Sequence, residues 1–202
     1  MLDRRSMLAG LALAPFAVET LAQSGADRLF TVSDGSFTLP TSMLSRGKSS
    51  AEISAALSAA GLPAQEAPSY LNITVLQRGD GFVVFDCGAG QNFIPGAGKL
   101  MASLEAAGVM PDKVKHLVFT HAHPDHLWGS LDDFGAPAFP NATFHIAVPE
   151  FDFWHGKDIL SKLPEDRQVF ATGAQRHLKE LAPVLKPFKP EQEILPGIFA
   201  AS

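Results

Sequence analysis

The chain has 202 residues, 46% of them hydrophobic and 18% charged, with 17 Gly, 15 Pro and a formal net charge of −5. At roughly 150 residues per domain this is one domain or one and a half, and the composition excludes disorder, collagen and a coiled coil. No Lys/Arg cluster follows Arg5, which argues against a nucleic-acid partner. The single cysteine, Cys87, excludes an intrachain disulfide and a multi-cysteine zinc site. Seven His against one Cys direct any metal towards imidazole and carboxylate.

The N-terminus reads as an address. Arg4 and Arg5 precede an apolar run from Met7 to Val18. That run is about half of the ~20 residues a spanning helix needs, so no stable membrane span is expected. Thr20-Leu21-Ala22 offers a cleavage site, and the arginine pair before Ser6-Met7-Leu8 resembles a twin-arginine export signal. The expected division is a leader over residues 1–22 and a domain over 23–202, with the mature chain periplasmic or secreted. A general secretory signal, an uncleaved anchor or a buried first helix are the alternatives. Removing residues 1–22 takes away Asp3, Glu19, Arg4 and Arg5, so the net charge stays at −5.

Further along, Ser33-Asp34-Gly35-Ser36 reads as a turn between short extended pieces. Ser49-Ser50-Ala51-Glu52 has the form of a capping box before a helix carrying Ile53, Ala56, Leu57 and Ala60, stopped by Gly61 and Pro63. Tyr70–Gln77 and Phe82–Asp86 are β-rich runs around Arg78-Gly79-Asp80-Gly81, a hairpin pattern. The second run is continuously apolar and is expected to be buried on both faces. A helix over Gly96–Gly108 follows, then strands over Val114–Thr120 and Thr143–Val148. A long helix is expected over Ser161–Leu185, broken by Pro183 and Pro187. Leu195–Ser202 looks like the opening of one more strand. This order specifies an α/β layered domain.

The chemistry concentrates in Thr120-His121-Ala122-His123-Pro124-Asp125-His126, directly after a buried strand. Neutral imidazole and carboxylate are zinc ligands. His121 and His123 are two residues apart, so an extended backbone points both the same way, at one ion. Pro124 bends the chain, and the adjacent Asp125 and His126 can be directed to a second ion nearby. Two such ions activate water and polarise a bond under attack.

His-x-His-x-Asp-His after a strand resembles the metal motif of the metallo-β-lactamase superfamily. Asp86-Cys87-Gly88-Ala89-Gly90 is similar to that family's Asp-Thr-Gly turn. Residues 33–40, Phe139-Pro140-Asn141-Ala142 and Asp152-Phe153-Trp154 resemble the methyl parathion hydrolase-like branch, exported hydrolases of organophosphates and lactones. The resemblance implies an αββα sandwich, with this chain its N-terminal portion. It implies two divalent metal ions, zinc being the expected one. His121 and His123 would hold the first, and Asp125 and His126 the second. Asp125 would also take up a proton during turnover, Asp86 would orient a metal-binding His, and Phe153 and Trp154 would wall a substrate pocket.

The family's other ligands are a third His, a bridging Asp and a last His. They would follow a stretch like Leu195-Pro196-Gly197-Ile198, in a Gly-His-Thr-like loop beyond Ser202. The expectation is therefore an incompletely ligated site in a chain that folds poorly alone or forms homo-oligomers. The expected function is metal-dependent hydrolysis of an ester, lactone or phosphotriester, weak or absent in this fragment. Alternatives are a glyoxalase-like thioesterase, a β-lactamase, a non-catalytic remnant and a metal-binding or interaction module. His116, His145, His155 and His177 match no ligand position and are expected at the surface or in packing. Cys87 is expected to be a small buried residue.

Overall fold

The computed structural model describes residues 22–24, 27–44 and 47–201. The expected leader lies outside them but for Ala22. Strands β1 (Ala22–Ser24), β2 (Asp27–Pro40), β3 (Glu66–Arg78) and β4 (Gly81–Phe85) form an antiparallel run. To β4 are added, all parallel, β5 (Val114–Val118), β6 (Thr143–Ala147) and β7 (Leu185–Phe188), giving one seven-stranded sheet in chain order. A small hairpin, β8 (Glu193–Leu195) with β9 (Ile198–Phe199), is separate.

Helices lie between these strands, as parallel connections require. They are α1 (Thr41–Leu44), α2 (Ser50–Ala59), α3 (Leu100–Ala106), α4 (Pro124–Leu127), α5 (Val148–His155), α6 (Ile159–Lys162) and α7 (Gln168–Leu181). The larger core joins one sheet face to α3, α4, α5 and α7 through Val75, Val84, Leu104, Leu117, Phe144, Trp154 and Leu178. A smaller cluster on the opposite face, Leu76, Val83, Val118 and Phe188, is packed by Ile194, Leu195 and Ile198 of the hairpin. Val83 and Val84 thus go to opposite faces, and β4 is buried on both. Arg78 ties the hairpin down, donating to Pro196 O (2.7 Å) and pairing with Asp27 (2.8 Å).

Four local expectations are revised. Ser33–Ser36 is no turn: β2 runs straight through as a 14-residue strand with a register shift between Ser33 and Gly35. Gly35 adopts φ 106°, and a Cβ there would collide with the Gly96 carbonyl, so this bulge needs glycine. The bulge turns Asp34 inward, fully buried, where it accepts from Ala89 N (2.7 Å) and Leu100 N (2.8 Å).

That second bond is why α3 begins at Leu100 and not at Gly96. The first free N–H of the helix finds its acceptor on another strand. Residues 161–185 are not one helix either, because Leu163, preceding Pro164, takes ψ 145°, as pre-proline sterics favour. Finally, α5 forms where no helix is expected, with Pro149 and Glu150 in its first turn. The capping box is present as read: Ser49 accepts from Glu52 N while Glu52 accepts from Ser49 N.

Asp34→Ala is expected to lower the unfolding free energy by on the order of 2–4 kcal/mol, since each buried N–H left unpaired costs about 1–3 kcal/mol. Urea unfolding of wild type, Asp34→Asn and Asp34→Ala checks this, with Asn intermediate. A loss below about 1 kcal/mol in Asp34→Ala would show that Ala89 and Leu100 find other partners.

Candidate metal centre

The parallel strands β4 and β5 end side by side, and their C-terminal loops meet there, the usual location of sites in open α/β sheets. Asp86 ends β4 with φ 66°, an uncommon conformation for a residue with a Cβ, though Asp tolerates it better than most. It is 6% exposed. Its Oδ1 accepts from Thr120 N (2.7 Å); its Oδ2 accepts from Thr120 Oγ1 (2.7 Å) and lies 2.9 Å from His126 Nδ1. The loop after β5 is thereby fixed to the end of β4. Cys87 adds to the junction, its N–H and buried thiol both bonding His126 O (2.9 and 3.1 Å). Burial first, then the Asp86 and Asp34 charges, push the thiol pKa well up, which removes it as a nucleophile.

The four motif donors fall into two pairs. His121 Nε2 lies 3.1 Å from His123 Nδ1, and His126 Nε2 lies 3.4 Å from Asp125 Oδ2. Two ligands about 2.0–2.1 Å from zinc at a tetrahedral angle are roughly 3.4 Å apart. Each pair therefore has the spacing of two ligands on one ion, and the donor set fits a divalent metal. The rings of His121 and His126 are 3.9 Å apart between centroids, so the pairs are neighbours. Among the described residues, no group of three or more His, Cys, Asp or Glu is arranged around one ion. His126 meets Asp86 through Nδ1 and leaves Nε2 towards Asp125. This is the usual arrangement of a metal-binding imidazole backed by a carboxylate.

The electrostatics follow from these contacts. Burial alone would lower the His126 pKa, but hydrogen bonds to Asp125 and Asp86 and their charges push it up to about 9. Burial would raise Asp125, yet the bond to His126 holds it below the ordinary carboxylate value. His121 is lowered by burial and by the neighbouring His126 and His123.

Several residues that hold this loop escape sequence reading. Glu150 of α5 accepts from Ala122 N (2.8 Å), between the two histidines, and from Trp154 Nε1 (2.6 Å). Phe170 lies 6.3 Å from the His123 ring, and Phe93 lies 6.4 Å from Phe170. Only the Pro149-Glu150 start of α5 was a readable signal. Trp154 is 3% exposed and belongs to the core, its ring edge-on 5.7 Å from His123; Phe153 is half-exposed beside it. Trp154 therefore braces the loop from behind. A cavity of about 900 Å³, lined by Trp128, Gly173 and His177, touches neither of these aromatics and none of the four donors.

The other histidines pack as expected. His177 is buried against Ser130 Oγ (3.0 Å), and burial and Arg176 lower its pKa to about 4. His145 is buried and paired with His116 (3.1 Å), and His155 stacks on Phe151 (4.7 Å).

The family model of the metallo-beta-lactamase superfamily matches residues 68–192, and the chain belongs to that superfamily. Among solved structures it is similar to "AidC, a Dizinc Quorum-Quenching Lactonase", with product N-hexanoyl-L-homoserine bound. The identity is 26% and the TM-score 0.79, over 90% of this chain and 64% of that one. It shares its fold with the hydrolase AbOPH of the beta lactamase superfamily (24% identity, TM-score 0.73, 86% of this chain and 62% of that one). The same holds for a probable metal-dependent hydrolase from Staphylococcus aureus (17%, TM-score 0.67, 87% and 64%). The chain thus spans somewhat less than two thirds of each of these proteins. No curated protein matches it. No helix among the described residues is long and apolar enough to cross a membrane.

Because the His126 value lies above the ordinary 6.5, its proton stabilises the metal-free fold fully below pH about 6.5. That contribution is lost as pH rises through about 9. Thermal unfolding with chelator present should show a fall in Tm between pH 7 and 10 that is absent in His126→Asn. Parallel curves for the two proteins would contradict the assignment.

Proposed function

We propose that this chain serves metal-dependent hydrolysis of an ester-type bond, with lactones first and carboxyl esters or organophosphate esters next. The observation that carries the reading is the convergence of His121 with His123 and of Asp125 with His126 on one loop backed by Asp86. Membership of the superfamily and the likeness to a dizinc lactonase support it. Divalent ions bound there would supply Lewis acidity and lower the pKa of water.

The chain's own residues do the rest. Asp86 fixes the His126 tautomer so that Nε2 faces the site. Asp125, held charged beside His126, accepts a proton and passes it to the leaving oxygen. Phe170, whose ring lies 6.3 Å from that of His123, and Phe153, half-exposed beside Trp154, offer an apolar surround for an acyl or aryl group. We also propose that residues 1–22 direct the protein out of the cytoplasm.

The test is turnover of an N-acyl homoserine lactone and an aryl phosphotriester by the zinc-loaded full chain. His121→Ala with His123→Ala is the control. Losing one supporting group commonly costs about 10–100-fold, so losing both ligands is expected to exceed that. Zinc binding without any control-sensitive turnover would favour a metal-binding module.

A further inference from the structure

Glu150 stands 28 residues beyond Ala122 in the chain, yet one carboxylate oxygen serves both the backbone between two histidines and a buried indole. Ala122 is fully buried, and its N–H belongs to the peptide joining it to His121. Ala122 is held inward while the flanking His121 and His123 rings meet on the outward side, His121 Nε2 3.1 Å from His123 Nδ1. The second bond holds Trp154, whose ring meets His123 edge-on. A carboxylate accepting from N–H groups makes a stronger bond than a neutral acceptor. The acid does not merely cap its own short helix, because Ala122 lies outside α5.

We propose that Glu150 is a positioning residue for the His121–His123 pair, and that Trp154, bound to the same oxygen, senses what His123 holds. This rests on the reading of His121 and His123 as metal ligands. The site gains a second supporting carboxylate, acting through the backbone where Asp86 acts through an imidazole. The indole becomes a built-in reporter of metal occupancy at His123.

The test uses the full chain, with zinc as the probe and affinity measured by chelator competition. Glu150→Ala is expected to weaken zinc binding by about 10–100-fold while unfolding stays cooperative. Glu150→Gln, whose amide oxygen still accepts, should recover most of that loss. Zinc should also change the tryptophan emission of Trp128→Phe, whose one remaining indole is Trp154. A folded Glu150→Ala that binds zinc like wild type overturns the proposal, as does a Trp128→Phe variant whose emission zinc leaves unchanged. If Glu150→Ala does not fold, Glu150→Asp replaces it, keeping the charge on a shorter stem. Weaker zinc binding then supports the proposal and unchanged affinity overturns it. His121→Ala with His123→Ala separates the two levels. Zinc affinity unchanged in that variant would sink the ligand reading itself, whereas a loss there with none at Glu150 would sink only the positioning role.

Discussion

Asp86 is the contact on which the site depends. One buried carboxylate, set at an unusual backbone angle at the end of β4, collects Thr120 N–H, Thr120 Oγ1 and His126 Nδ1 within 2.9 Å. Leaving these groups apart would strand the buried Asp86 carboxylate, so strand end, loop and imidazole are held together through it. Backbone strain of this kind persists only where surroundings over-determine it, and here they do. Val118 O receives Asp86 N, and His126 O receives Cys87 N, each at 2.9 Å.

Asp34 and Glu150 repeat the device at greater distance. Asp34, projected inward by the bulge in β2, fixes the far end of the loop that follows Asp86 and starts α3. Glu150, from the first turn of α5, fixes the stretch between the first two histidines. Asp86 and Glu150, from two separate elements, thus hold the loop that must carry several imidazoles at close range, while Asp34 holds the loop beside it. Packing His121, His123 and His126 together is unfavourable once they are protonated, and their mutual effect is seen in the lowered pKa of His121. Asp86 and Glu150 offset part of that cost.

What could be read from sequence follows the range of the interactions. The four donors were legible because a strand followed by a proline turn puts them within six residues, and their geometry is nearly local. The β3–β4 hairpin, the capping box and the burial of Val83 and Val84 were legible for the same reason. Asp34 was not, because its turn-like neighbours suggest a chain reversal unless the Gly96 loop packing against Gly35 is known. Glu150, Phe93 and Phe170 reach the site only through the fold, from segments up to 47 residues from His123. The break before α7 was set by Pro164, whose effect on Leu163 outweighed the helical spacing of the residues after it. The resemblance assigns Trp154 to the wall of a substrate pocket, whereas its burial and its hydrogen bond to Glu150 come only from the fold.

His121, His123 and His126 are proposed as one metal-directed set, with the remaining imidazoles structural. Long-range proton–nitrogen NMR of the histidine side chains during a zinc titration tests it most directly. His121 Nε2, His123 Nδ1 and His126 Nε2 are expected to shift together while His116, His145, His155 and His177 stay in place. Zinc-induced shifts confined to the His116–His145 pair, or none at His121 and His123, would contradict it.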